Sequence, residues 1–288
     1  KGYCSDIFAG EAAGFINKNH DRPFFCYLSF NAPHTPLQVP GKYYSMFRDI
    51  DPSSGFKGDS IPYHPMSDNN MEDARKVYAM VKNIDDNIGK VLKELDEHDL
   101  TKNTIVIFMT DNGPQQMRYN AGMRGLKSHV YRGGVRVPFF FRYPELDIPD
   151  RDIEISAANI DVLPTLAELC NAGIPSDRKI DGKSLVPLMK GEEDGWKDRS
   201  LFFYWTRKYP ELYNNIALLK DRYKLVGNTD YDASISSFVL YDIERDPSEK
   251  ENLINNNAGV ADVLRKELDN YFWRSEERRV GKECRSRW

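Results

Sequence analysis

From Met71 to Glu97 apolar residues recur at three- and four-residue steps (Ala74, Val77, Tyr78, Val81, Ile84, Ile88, Val91, Leu92, Leu95), with acids and lysines between them. That period is one face of an α-helix, and the stripe predicts a helix over the whole span. Thr104 to Thr110 (Thr-Ile-Val-Ile-Phe-Met-Thr) is β-branched and apolar on both faces, as a strand buried on both sides must be. Phe24 to Phe30 reads the same way. The unit Phe24 to Thr110 is therefore expected to be a strand, helix, strand crossover in a parallel sheet. Upstream, Ser5-Asp6 can cap a helix carrying Ile7, Phe8, Ala12, Phe15 and Ile16, which Pro23 ends. Downstream, Val137 to Phe141 predicts a third strand and Asn159 to Cys170 a helix, capped by Asn159 and stopped near Gly173 and Pro175.

Two stretches break this alternation. Asn31 to Ser67 is rich in Pro, Gly and Ser and longer than a connector needs, which marks it as a functional loop. After about Gly195 the pattern shortens to Leu201–Trp205, Ile216–Lys220, Tyr223–Val226 and Phe238–Tyr241, of which three can pair as a small antiparallel sheet. Its turns are expected at Lys220-Asp221-Arg222 and Gly227-Asn228, and a helix from Val260 to Phe272 would cover one face. The expected organisation is an α/β domain over residues 1–195, a small α+β domain over 196–273, and a basic, patternless tail over 274–288 that reads as non-native.

Charge and composition narrow the function classes. Among 288 residues, 40 Lys+Arg face 44 Asp+Glu for a net charge of −4, which excludes a polycationic nucleic-acid binder. No apolar run approaches the ~18 residues that cross a bilayer. Cys4, Cys26, Cys170 and Cys284 show no paired or metal-finger spacing, and no Asn-x-Ser/Thr sequon occurs. The chain starts Lys-Gly-Tyr-Cys-Ser-Asp, with neither an initiator Met nor an apolar leader.

Three loops carry candidate chemistry. Asp111-Asn112-Gly113 follows the strand ending at Thr110, and ligands of open α/β sheets bind beyond the carboxyl ends of strands. An acid and an amide offer two hard oxygens for Ca²⁺ or Mg²⁺, although the same triplet is ordinary turn chemistry. His34, bracketed in Asn31-Ala-Pro-His-Thr-Pro36, could donate a proton to a leaving oxygen or bind an anion. The segment Gly122 to Pro138 combines glycines, which allow close backbone approach, with Arg124, Lys127 and Arg136, which offer cations to a tetrahedral oxyanion.

Phe25-Cys-Tyr-Leu-Ser-Phe-Asn-Ala-Pro-His-Thr-Pro-Leu-Gln-Val-Pro40, Thr110-Asp-Asn-Gly113, Met123-Arg-Gly-Leu-Lys127 onward to Pro138, Asp161-Val-Leu-Pro-Thr165, and Leu240-Tyr-Asp-Ile-Glu-Arg-Asp-Pro247 with Glu251-Asn-Leu253 closely resemble the sulfatase family. Order and spacing match along nearly all of residues 1–273. The resemblance implies an alkaline-phosphatase-like, mostly parallel α/β sheet flanked by helices and incomplete at its amino end, followed by a small antiparallel sheet with a helix. It implies hydrolysis of a sulfated sugar or an aryl or alkyl sulfate, Ca²⁺ (Mg²⁺ as the alternative) on Asp111 and Asn112, and His34 and Lys127 as catalytic and substrate-binding residues. It also implies export to the periplasm, the exterior or a lysosome.

The chain departs from the family pattern at two points. The family nucleophile is a formylglycine made from Cys or Ser in a Cys/Ser-x-Pro-x-Arg motif, and no Cys or Ser here stands in that motif. The chain is thus expected to be the carboxyl-terminal part of a sulfatase, inactive alone. Arg132 stands where the family usually has an acid before Gly133-Gly134, which puts the local loop pairing in question. The alternative readings are a metal-dependent phosphodiesterase or phosphonate hydrolase, or a non-catalytic binding protein on the same scaffold.

Overall fold

A computed structural model describes residues 2–56, 65–194, 196, 199–206, 213–227 and 237–285. Residues 57–64 of the long loop and the expected turn residue Asn228 lie outside the described residues. The chain forms two compact units, Lys1–Gly122 with Val137–Asp147, and Met123–Arg136 with Ile148–Trp288.

The first unit is built on two packed helices, α1 (Cys4–Asn19) and α3 (Asp68–Glu97), with the short α2 (Gly41–Tyr44) also against α3. Helix α3 starts three residues before the apolar stripe because Ser67 caps it, its side chain accepting from the Asn70 amide at 3.2 Å. The stripe faces inward at Ala74, Val77, Ile84 and Leu95, with Met80 outside the stripe also buried, while Val81 is turned outward. Helix α1 approaches through Ser5, Ala9, Ala12 and Ile16, small enough for close packing, so Ile7, Phe8 and Phe15 stay partly exposed rather than forming the buried face.

A polar node sits in this interface. Asn83 and Asn87 are fully buried, and both amide groups donate to Asp6 Oδ1, at 2.8 and 2.7 Å. Lys90 Nζ in turn donates to Asn87 Oδ1 at 2.8 Å. Burial alone would raise the Asp6 carboxyl, but the bonds from Asn87 and Asn83 outweigh it and hold its pKa below the usual carboxylate range. A depressed folded-state pKa contributes stability above the unfolded value of about 3.9, lost as pH falls through the folded value. Asp6→Asn is therefore expected to lower stability at neutral pH and to flatten its fall below about pH 4, read as denaturation midpoints along a pH series.

Strands β1 (Val106–Met109) and β2 (Phe139–Arg142) pair antiparallel, with Val106 opposite Arg142 and Met109 opposite Phe139. Strand β2 begins after Pro138, which has no amide proton to give a ladder. The expected strand at Phe24–Phe30 does not form among the described residues. The segment has no hydrogen-bonded strand partner, and Phe25 and Tyr27 are 75% and 82% exposed. Apolarity on both faces prepares a segment for burial in a sheet, but a strand exists only where a neighbour supplies its ladder. The crossover is thereby reduced to α3 leading into β1.

In the second unit four strands rather than three pair, all antiparallel and in chain order: β3 (Ser200–Tyr204), β4 (Ile216–Lys220), β5 (Tyr223–Gly227) and β6 (Val239–Asp242). Asp221-Arg222 makes the β4–β5 turn, with Asp221 at φ 53°. Alternation sorts the faces: Ile216, Leu218, Leu225 and Leu240 pack with Leu264, Leu268 and Phe272 of α7 (Ala258–Arg285), while Ala217, Val226 and Tyr241 pack with Val130. Helix α7 continues through residues 274–285, which sequence reading left out of the fold.

The remaining helices of this unit are α4 (Arg132–Val135), α5 (Val162–Leu169) and α6 (Val186–Met189). The predicted helix at Asn159 opens as a 3₁₀ turn, Asn159–Asp161, before α5. Asp161 is fully buried, takes a two-point contact from Arg199 at 2.7 and 2.6 Å, and accepts from the amides of Ala158 and Lys183, both at 2.8 Å. Thr165 donates to the Asp161 carbonyl at 2.6 Å and accepts from the Leu185 amide at 2.8 Å. The Asp161–Thr165 motif is thus an internal brace. Among the described residues, no helix is long and apolar enough to cross a membrane.

Candidate active site

Strand β1 delivers Asp111 and Asn112 two and three residues beyond its last paired residue, Met109. The Asn112 amide donates to Asp111 Oδ1 at 2.9 Å, and Asn112 Nδ2 donates to the Gly113 carbonyl at 2.8 Å. These two bonds fix the side chains and leave Asp111 Oδ2 and Asn112 Oδ1 without a donor among the described residues. The result is two hard oxygens on neighbouring residues, the donor chemistry of Ca²⁺ or Mg²⁺, fewer than the six or more that such an ion takes. Among the described residues no group of three or more His, Cys, Asp or Glu side chains forms a metal cluster.

His34 is exposed in a turn closed by its own amide to the Asn31 carbonyl at 3.0 Å. The peptide bonds before Pro33 and Pro36 are both cis, and Tyr3 holds the far side of the loop by donating its hydroxyl to the Gln38 carbonyl at 2.9 Å. The decisive contact is His34 Nδ1 to the Thr35 carbonyl at 2.8 Å. A carbonyl only accepts, so Nδ1 carries the proton, and Nε2 is left to accept a proton or, in the imidazolium, to donate one. His34 shares no hydrogen bond or ion pair with Asp111 or Asn112 among the described residues.

Lys127 belongs to the second unit and is the second residue of a tight turn, Leu126 to His129, closed by the His129 amide to the Leu126 carbonyl at 3.0 Å. His129 Nδ1 accepts from the Leu126 amide at 3.1 Å, and Ser128 takes φ 76°. Lys127 is half-buried, and its ammonium carries no ion pair among the described residues. The glycines around it serve the loop's own packing. A Cβ on Gly134 would sit 2.1 Å from the His129 carbonyl oxygen and 2.5 Å from that of Leu126, and one on Gly125, at φ +89°, 2.8 Å from Tyr131 Cβ.

The three candidate cations of this loop separate. Arg124 turns inward, donating to the Tyr241 hydroxyl at 2.9 Å and the Glu249 carbonyl at 3.2 Å, with its guanidinium 4.3 Å from the Tyr131 ring centroid. It is a structural residue, not an anion ligand. Arg136 is exposed. Arg132 is also committed: its amide donates to Glu249 Oε2 at 2.6 Å and its guanidinium to the Ile243 carbonyl at 2.8 Å. The loop is therefore paired despite the cation at 132, with Glu249 supplying a carboxylate from a distant segment.

Sequence reasoning missed Glu249, fully buried at φ 55° and paired through Oε1 to Lys224 at 2.7 Å. It also missed Asn215, whose side-chain amide bonds the backbone of Ser128 and Val130, just after Lys127. An acid inside an otherwise surface-like run and an Asn-Asn pair before a strand are weak signals, since both usually mark solvated turns. Two further histidines, His20 and His98, stack with ring centroids 4.3 Å apart.

Residues 1–172 match the family model described as Sulfatase, and residues 126–276 match N-sulphoglucosamine sulphohydrolase, C-terminal. The steryl-sulfatase of Rattus norvegicus is 32% identical over 207 residues, covering 68% of this chain and 31% of that protein. The Escherichia coli protein described as uncharacterized sulfatase YdeN is 29% identical over 240 residues, covering 81% of this chain and 39% of its own length. The crystal structure of Ps i-CgsB in complex with k-i-k-neocarrahexaose superposes with TM-score 0.77 at 28% identity, over 95% of this chain and 55% of that one. The chain thus spans roughly a third of the length of these two curated relatives.

Proposed function

Because this chain belongs to the sulfatase family, with an alkaline-phosphatase-like α/β fold, we propose that it supplies the leaving-group and anion-binding side of a sulfate-ester hydrolase. The observation that carries the reading is the match over residues 1–172, which contains His34, Asp111, Asn112 and Lys127 together.

Asp111 and Asn112 are the residues that would hold a divalent cation, Ca²⁺ in preference to Mg²⁺. When bound, that ion supplies Lewis-acid stabilisation to the sulfuryl oxygens. Lys127 offers an ammonium to a tetrahedral anion, where a fixed positive charge lowers the energy of the developing negative charge. His34, as the imidazolium held through Nδ1 by the Thr35 carbonyl, donates its Nε2 proton to the ester oxygen as the S–O bond breaks, so that a neutral alcohol departs rather than an alkoxide. None of these residues is assigned the attack on sulfur. The nucleophile is a formylglycine, and its precursor motif does not occur in this chain. The substrate is a sulfated carbohydrate or a small aryl or alkyl sulfate, and the protein is exported. The likeness to a protein solved with a neocarrahexaose supports the sugar.

The intact protein is expected to hydrolyse an aryl sulfate faster than the matched aryl phosphate and to lose that activity on chelation, with Ca²⁺ restoring it. A reversed preference would move the assignment to a phosphodiesterase or phosphonate hydrolase. Absence of turnover on both would leave a binding protein.

A further inference from the structure

The turn that presents Lys127 is held by a single side chain from another part of the same unit. Asn215, immediately before β4, accepts from the Val130 amide through Oδ1 at 3.3 Å and donates Nδ2 to the Ser128 carbonyl at 2.7 Å. The same Nδ2 reaches the Trp205 carbonyl at the end of β3 at 3.2 Å, and the Asn215 carbonyl accepts from the Trp205 amide at 3.1 Å. One primary amide thus reads the backbone at 128 and 130 as a neighbouring strand would, and ties it to the β3–β4 end of the sheet. The amide orientation follows from its partners: reversed, its oxygen would face two carbonyl oxygens. Asn215 itself sits at φ 50°, where Asn is among the few side-chain-bearing residues that rest without much strain.

Lys127 needs such a hold. Its turn contains Ser128 at φ 76° and, among the described residues, no ion pair that would orient the ammonium. A lysine side chain is long and loses much rotamer freedom on fixing its head, so the direction in which it leaves the backbone decides how well it meets an anion. We propose that Asn215 is the positioning residue for Lys127, acting through the Ser128 and Val130 backbone rather than on the substrate. This rests on Lys127 being the anion-contacting cation of the proposed reaction.

Asn215→Gly is the direct test, since glycine keeps the positive φ while removing every side-chain bond. In the intact protein it is expected to lower kcat/KM for a sulfate ester by about 10–100-fold, the range that a small misplacement of a catalytic group produces. It should raise the inhibition constant of inorganic sulfate in parallel. In a Lys127→Ala background the same substitution should change kcat/KM by less than about threefold, because residues acting as one unit are not additive. Equal losses in both backgrounds would overturn the proposal and leave Asn215 a purely structural residue. Asn215→Asp keeps the acceptor for Val130 but no donor for Ser128 or Trp205, and it gives the same comparison should the glycine variant not fold.

A second readout separates this inference from the reaction class. The cycle runs equally on an aryl phosphate or phosphonate if the protein prefers those. If it turns over no ester, protection of Lys127 from acetylation by inorganic sulfate, followed by mass spectrometry, replaces the rate. Protection in the parent that is lost in Asn215→Gly supports the positioning role. Equal protection in both, or none in either, overturns it.

Discussion

His34→Gln is expected to slow hydrolysis of an alkyl sulfate by about 10²–10⁴-fold, the usual worth of a placed general acid. The same substitution should slow p-nitrophenyl sulfate far less. The distinction is chemical. An alkoxide is a strong base and leaves only with a proton, whereas a nitrophenolate leaves unaided, so the loss must grow with the basicity of the leaving oxygen. The geometry points the same way: Nδ1 is engaged by the Thr35 carbonyl at 2.8 Å, which commits Nε2 to be the nitrogen that exchanges a proton. Steady-state rates across a series of leaving groups make the measurement. A uniform loss would instead assign His34 to holding the sulfuryl oxygens.

The second large effect is expected far from any reacting atom. Lys224 on β5 and Glu249 are both buried, and their ion pair at 2.7 Å lies under the Arg132–Gly134 loop. Burial pulls the Lys224 ammonium pKa down, and Glu249 opposes that pull. Glu249→Ala leaves a desolvated ammonium without its partner and removes the acceptor of the Arg132 amide, so it should cost about 3–5 kcal/mol. Lys224→Met in the same background should recover part of the loss, since an unpaired buried charge costs more than the pair contributes. Urea denaturation midpoints of the single and double variants measure both. A double variant less stable than Glu249→Ala alone would mean that Lys224 is held by more than this carboxylate.

Much of the architecture could be read from periodicity because the signals were long or repeated. Helix α3 carries nine apolar positions at one period, and the four strand segments of the second unit are short, largely apolar runs with a turn between the middle pair. What periodicity cannot express is which polar residues go inside. Asn83 and Asn87 lie on the helix's inner side but read as gaps in its stripe, and only Asp6, far away in sequence, makes their burial affordable. Phe24–Phe30 failed for the converse reason, since its composition describes a buried strand and its hydrogen bonds need a neighbour that composition does not name.

At the candidate site the division is similar. The residue types of Asp111, Asn112, His34 and Lys127 are written in short motifs, and with them the chemistry each can perform. Direction is written elsewhere. Arg124 and Lys127 are three residues apart in one basic loop, yet Arg124 bonds Tyr241 and Glu249 and is lost to anion binding. Gly134 and Gly125, which offered room for a ligand, prove to be room for the loop's own carbonyls and side chains. The linear chain determined which groups can carry charge and protons, and where the long helices and the strands of the second unit lie, because those follow from side-chain chemistry and local period. Which groups are buried and paired and which face outward was decided only by tertiary contacts such as Asn215 to Ser128 and Glu249 to Arg132, because a hydrogen bond between distant segments leaves no mark on the spacing of either.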